Sequence, residues 1–287
     1  MPSGRDIKSS IESIGKTKKI TRAMEMVSAS KLRVAKQMME SGQFYADTAR
    51  EIVMQHLSCG HLEYKHPYMN QRKIKSVGFI VVSTDRGLCG PLNSNLFKLS
   101  LQKIQSYHEQ NVSVKLALFG HKSESFFKQF ADFEVMSYVH HMKDKPDVTD
   151  VIGPVQIMLD KFVQGGIDKL YLLSNKFINT IKQEPTCVQL LPVEKEDQAN
   201  TKSWDYIYEP DAKALLDMLL QRYIESSVLQ GVRENMACER ASSMMAMKTA
   251  TDNANELIKT LKKEYNKARQ AAITREIAEI VSGSDAV

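Results

Sequence analysis

The chain is short of most residue patterns that announce a chemistry. It has only four cysteines in 287 residues, and Cys59, Cys89, Cys187 and Cys238 lie far apart in no paired motif. That excludes a disulfide scaffold and a cysteine-rich zinc site, and points to a reducing, cytosol-facing location. Charge is nearly balanced, with 39 basic against 34 acidic residues and a net charge of +5. So small an excess does not by itself argue for nucleic acid. No uncharged apolar run approaches the ~18 residues of a membrane span. The longest strongly apolar stretch, 76–84, has the length of a strand. The opening residues MPSGRDIKSS hold no apolar core of a signal peptide, nor do they read as a transit peptide. No phosphate-cradling G-x-x-x-x-G-K-[ST] loop occurs, although Gly120-His121-Lys122-Ser123 resembles its tail. No G-x-G-x-x-G follows the first strand, and no pair of carboxylates stands out for acid–base work.

Proline is absent from two long tracts, and this organises the rest. None lies between Pro2 and Pro67, and none follows Pro210. Proline removes a helix donor and clashes with the preceding turn, so proline-free flanks around a proline-bearing middle predict helix, mixed domain, helix. The first helix is expected over 3–57. Ile7, Ile11 and Ile14 begin an apolar seam, and Ile20, Met24, Val27, Val34 and Met38 continue it after a slip of the kind a supercoil absorbs. The last helix is expected over 211–282. Met244, Met247, Thr251, Ala254, Ile258, Leu261, Tyr265, Ala268 and Ala272 alternate steps of three and four, a coiled-coil heptad pattern. At ~1.5 Å per residue these helices would run roughly 80 and 100 Å, longer than a globular domain is wide. They are therefore expected to pair as an antiparallel coiled coil projecting from the middle domain.

The middle alternates between two periodicities. Residues 76–84, Ser113–Phe119 and 168–174 read as buried strands, with helical spacing over 92–110 and Val148–Val163 between them. That order predicts a parallel α/β sheet, with 186–193 as an added edge strand. The fold class is thus α/β with a Rossmann-like centre plus a long coiled coil. The boundaries are 1–60 for the first shaft helix, 61–209 for the α/β domain and 210–287 for the second shaft helix.

Few residues offer chemistry. Thr84-Asp85-Arg86-Gly87-Leu88-Cys89-Gly90 follows the first strand, where open α/β sheets place ligands. One reading makes Cys89 a nucleophile activated by Arg86. The other makes the segment a tight strand-to-helix turn, with Asp85 bonding local amides. No dedicated base is identifiable, which favours the turn. His56, Cys59, His61 and His66 include zinc-binding types, but in no established spacing. His140 and His141 read as an exposed pair at a strand end.

Charge is concentrated in the flanks. Nine basic residues stand against three acidic ones from Arg5 to Lys36, and six against Glu264 alone from Lys259 to Arg275. Two positive segments side by side would repel unless an acidic partner lies alongside, the alternative being a solvated basic face. Aromatic stacking residues for a single-stranded nucleic acid are missing from the first and limited to Tyr265 in the second. The tip residues Ile273, Ile277, Ala278, Ile280 and Val281 stay apolar, and a helix end that outlasts its partner would need a protein socket.

Several motifs together resemble one family. They are Ile20-Thr21-Arg22-Ala23-Met24-Glu25-Met26-Val27, Ser83-Thr84-Asp85-Arg86-Gly87-Leu88-Cys89-Gly90, Ser203-Trp204-Asp205-Tyr206, Met247-Lys248-Thr249-Ala250-Thr251-Asp252-Asn253, Tyr265-Asn266-Lys267-Ala268-Arg269-Gln270 and the ending Ile273-Thr274-x-Glu276-x-x-Glu279-x-x-x-Gly283. Over essentially its whole length the chain resembles the gamma subunit of bacterial F-type (F1Fo) ATP synthases. The resemblance implies a central rotor shaft that couples proton flow through a c-subunit ring to ATP synthesis or hydrolysis in three alpha and three beta subunits. It implies no catalytic, cofactor or metal site in this chain. The expected partners are alpha, beta, epsilon and the c ring, with no nucleic acid. Membrane association would come only through the complex, on the cytoplasmic face of a bacterial inner membrane. Met24, Arg269, Gln270, Thr274 and Glu276 would meet the beta subunits and govern coupling. Tyr206 and Glu209 would meet epsilon and the c ring at the foot. The alternative is a coiled-coil scaffold whose α/β domain binds a ligand or acts through Cys89. Two departures from the family pattern are Pro91, where a second glycine is frequent, and Ser284-Asp285 after Gly283.

Overall fold

The structure, a computed structural model, describes residues 4–58, 66–130, 133–193 and 212–284. Helices α1 (Gly4–Ser58) and α5 (Ala212–Ser284) bracket five strands and three shorter helices. The strands are β1 (Ser76–Val82), β2 (Ser113–Phe119), β3 (Glu134–Val139), β4 (Lys169–Phe177) and β5 (Gln183–Leu191). Between them lie α2 (Leu92–His108), α3 (His121–Phe127) and α4 (Val148–Val163). The described residues form two compact units: those up to Ala29 with those from Ser243 onward, and Ser30–Ser242. The boundaries expected near residues 60 and 210 lie outside the described residues.

The larger unit is built on one sheet of order β3-β2-β1-β4-β5. The first four strands run parallel, and β5 pairs antiparallel with β4 at the edge. β1 is buried along its whole length, as its unbroken apolar run requires of a central strand covered on both faces. Val77, Phe79 and Val81 pack toward Leu96 and Ile104 of α2 and Phe127 of α3. Ile80 and Val82 pack on the opposite face with Val155, Met158 and Phe162 of α4 and Leu220, Ile224 and Val228 of α5. The first 30 or so residues of α5 therefore belong to the core of this unit. Gly231 marks how near that helix comes, since a Cβ there would lie 2.9 Å from Leu172.

Two elements differ from the reading of the sequence. β3 (EVMSYV) and α3 (HKSESFF) were not expected. β3 is an edge strand with one neighbour and half-exposed residues, so it lacks the apolar run that marked the others. β5 begins three residues before the expected 186 and ends at Leu191. Pro91 occupies the N-cap position of α2, so the helix starts directly after the departure from the family pattern.

In the smaller unit α1 and α5 lie antiparallel. Thr21 and Thr251 share a hydrogen bond of 2.8 Å, and Gly4 lies beside Tyr265. The α5 seam is as expected from Met244 to Ala268, but Ala272 is exposed. The α1 seam is corrected. After Ile7, Ile11 and Ile14 the inward positions are Lys18, Thr21, Glu25 and Ser28, stepping four, three, four, three with no slip. Ile20, Met24 and Val27 face solvent instead, at 59%, 37% and 57% exposure.

Candidate functional site

The turn after β1 is the first place to look for chemistry, and it is a structural joint. Thr84 Oγ1 donates to the Arg86 carbonyl at 2.6 Å, and Asn93 Nδ2 donates to Thr84 Oγ1 at 2.7 Å. Asp85 does not bond local amides as expected. Its two oxygens accept from the backbone N–H of His121 at 3.0 Å and of Met142 at 2.9 Å, tying three strand ends together. Gly120 takes φ +90° at this junction, against the Ser83 carbonyl, where a Cβ has no room. The tail-like Gly120-His121-Lys122-Ser123 is therefore a strand-to-helix turn.

Cys89 is only 3% exposed, packed with Leu92 and Cys238. Burial pushes its thiol up, against the lowering effect of the Thr84 hydroxyl. A nucleophilic cysteine needs the reverse, a depressed pKa and access. Cys238 is pushed up more strongly, again by burial. The Cys89 carbonyl accepts from Ser242 Oγ at 2.5 Å. Above the same turn, Asn235 Nδ2 donates to the Ser83 carbonyl at 3.1 Å and its Oδ1 accepts from Asn175 at 2.8 Å. Asn235, Cys238 and Ser242 recur at three and four along α5, so one polar stripe of that helix seals the end of the sheet. Sequence reading missed these residues; polar side chains on the helical period of an otherwise apolar face were the available signal. A cavity of about 290 Å³ remains beside them, lined by Arg86, Asp144, Glu239, Arg240 and Lys31 among others. Much of its charge is paired within the lining: Asp144 bonds Lys31 at 2.8 Å and Arg240 at 3.0 Å.

The residues expected to meet the beta subunits lie in the smaller unit. Met24 sits on the exposed stripe with Ile20 and Val27. Arg269, Gln270, Thr274 and Glu276 are all exposed, and from Arg269 to Val281 no residue of α5 is buried or even half-buried. The register set by Thr21 and Thr251 puts Met24 level with about residue 248. Met24 and Arg269 are then about 30 Å apart along the axis, so these residues fall in two separate exposed zones rather than one cluster. Tyr206 and Glu209 lie outside the described residues, as do Cys59 and His61. His66 is buried in the larger unit, where its Nδ1 accepts from the Tyr68 N–H at 3.0 Å.

The family model for ATP synthase matches residues 3–287. This chain belongs to the ATP synthase gamma-subunit family. Solved structures agree on the fold. The rotor of the Euglena gracilis mitochondrial ATP synthase is similar at TM-score 0.68 and 20% identity, over 94% of this chain and 98% of that one. A chain from the OSCP/F1/c-ring structure of the same enzyme gives 0.70 and 18%, over 99% and 94%. A chain of the central stalk and c-ring of the Tetrahymena thermophila mitochondrial ATP synthase gives 0.61 and 23%, over 80% and 99%. Membership of the gamma family identifies the paired helices as a central-stalk element and displaces the reading of an enzyme centred on Cys89. No described helix of this gamma-family chain is long and apolar enough to cross a membrane.

Proposed function

We propose that the chain is the rotor shaft of a proton-driven F1Fo ATP synthase and contributes no catalytic group itself. It turns with a c ring and pushes the beta subunits of an alpha–beta ring through their states. The observation that carries this reading is the last stretch of α5. Thirteen residues from Arg269 to Val281 are exposed on every side. They include Ile273, Ile277, Ile280 and Val281, at 47%, 56%, 67% and 52% exposure. Water is a poor setting for such a helix, and an apolar sleeve of alpha and beta subunits suits it.

The exposed stripe of Ile20, Met24 and Val27 forms a second contact with the beta subunits, lower on the shaft. Arg269, Gln270, Thr274 and Glu276 form the upper one, where the basic run faces acidic groups of beta. Tyr206 and Glu209 meet epsilon and the c ring. The complex resides on the cytoplasmic face of a bacterial inner membrane, which this chain reaches only through its partners. It binds no nucleic acid and needs no cofactor.

The test is to capture the complex through a tag on this chain from detergent-solubilised membranes. ATPase activity migrating with a large multi-subunit particle, absent from the purified chain, is the expected result. A small particle without ATPase overturns the proposal.

A further inference from the structure

Adjacent parallel strands β2 and β3 end side by side, and this brings together three metal-ligating side chains. Gly120 N–H donates to the Val139 carbonyl at 2.9 Å, so the residues after each strand start level. His121 and Glu124 lie three apart on α3 and share a face. His140 follows β3 directly. It was expected to be an exposed partner of His141, but it packs against Glu124 instead. Oε2 of Glu124 lies 3.1 Å from His140 Nε2 and 3.4 Å from His121 Nδ1. The two imidazole centroids are 5.7 Å apart. One ligand atom from each of the three residues lies within 4.8 Å of the others.

These separations have a chemical meaning. Zinc bonds of ~2.0–2.1 Å in a tetrahedron set neighbouring ligand atoms about 3.3 Å apart. The two measured edges bracket that value. Glu124 is only 7% exposed, so its carboxylate is held rather than waving in solvent. His140 Nδ1 is buried and has no hydrogen-bond partner, so Nε2, which faces Glu124 Oε2, is the ring atom that a cation displacing its proton would meet. His121 is exposed, which leaves room for water to complete the coordination. Lys128 pairs with the other carboxylate oxygen, Oε1, at 2.5 Å. Oε2 therefore remains for a cation, while the ammonium nearby weakens its pull.

We propose that His121, Glu124 and His140 form a binding site for a borderline divalent transition-metal cation, for which Zn²⁺ is the probe. Two imidazoles and one carboxylate favour zinc, copper or nickel over the hard ions magnesium and calcium. The bound ion staples α3 to the end of β3. It stands apart from the shaft contacts and does not depend on them.

The experiment is calorimetric titration of Zn²⁺ into the untagged, metal-stripped full chain, with metal analysis after dialysis. One equivalent bound per chain is expected, unaffected by excess Mg²⁺. His140→Ala and His121→Ala should each weaken it by about tenfold or more, the loss typical even of outer-shell changes. His121 is exposed, so its variant keeps the fold even where Glu124→Gln disturbs it. Lys128→Gln should tighten binding, and His108→Ala, a distant surface histidine, should leave it unchanged. Co²⁺ in place of zinc should give the visible absorption of a tetrahedral site, lost in His140→Ala. Substoichiometric binding, or equal binding by the His121 and His140 variants, overturns the proposal.

Discussion

The same two helices line both units, yet the two interiors differ in kind. In the larger unit α5 presents Leu216, Leu220, Ile224 and Val228 to a sheet, all nearly or wholly buried. In the smaller unit, past Ile14, the inward positions of α1 are Lys18, Thr21, Glu25 and Ser28, and α5 meets them with Met244, Met247, Thr251 and Ala254. Small and polar side chains let two helices approach closely but remove little apolar area from water, at about 25 cal/mol per Å². The larger unit thus carries its own stability. The smaller unit also keeps several large apolar residues, Ile20, Met24, Val27 and Ile277 among them, on the outside. A surface of that kind suits a shaft that must be gripped by other chains.

Substitutions can break or sharpen this contrast. Phe79→Ala empties a fully buried site in the sheet core. It should cost about 3–5 kcal/mol in chemical denaturation of the full chain. Ile258→Ala removes a half-buried seam residue of the smaller unit. It should cost about 1–2 kcal/mol, since only part of the side chain leaves water. Equal losses for the two would erase the distinction between the interiors. Cys89→Ala removes an acceptor for Asn93 Nδ2, 3.3 Å away. The expected cost is about 1 kcal/mol, with ATPase of the assembled complex retained. Loss of that activity in a folded complex would restore the thiol reading.

Met24→Lys should change stability by no more than about 0.5 kcal/mol, because the residue is exposed. It should still uncouple ATP hydrolysis from proton pumping in membrane vesicles, by placing a charge in the proposed beta contact. Normal coupling would remove Met24 from that contact. The smallest effect is expected at Glu239. Burial holds its carboxyl above the usual range, partly offset by the Arg240 guanidinium. A raised folded pKa means that ionisation at higher pH opposes folding, and the penalty is relieved as pH falls through the folded value toward the unfolded one. Glu239→Gln should therefore raise the melting temperature slightly near neutral pH and leave it unchanged in acid. A gain that is the same at every pH would contradict the sign.

Periodicity and proline placement made the two long helices, three parallel strands and α4 legible. They rest on runs of the right length with an unambiguous period. β3 and α3 escaped because a half-exposed edge strand and a seven-residue helix produce no such run. The α1 seam was misread for a different reason. That helix carries a second apolar stripe at Ile20, Met24 and Val27, and a period alone does not say which stripe faces α5. Asp85 was placed in a local turn, whereas its amide partners are His121 and Met142, contributed by two other strand ends. Hydrogen bonds between residues 36 and 57 positions apart leave no trace in local spacing.

Family membership, the helix–sheet–helix order and the want of any nucleotide-cradling loop were determined by the sequence by itself, because each is a pattern of residue types along one chain. Which face of α1 turns inward, how a polar stripe of α5 seals the sheet, and the meeting of His121, Glu124 and His140 were decided only by the tertiary structure. Each depends on which distant surfaces pack together, and packing is a property of pairs of elements rather than of any one of them.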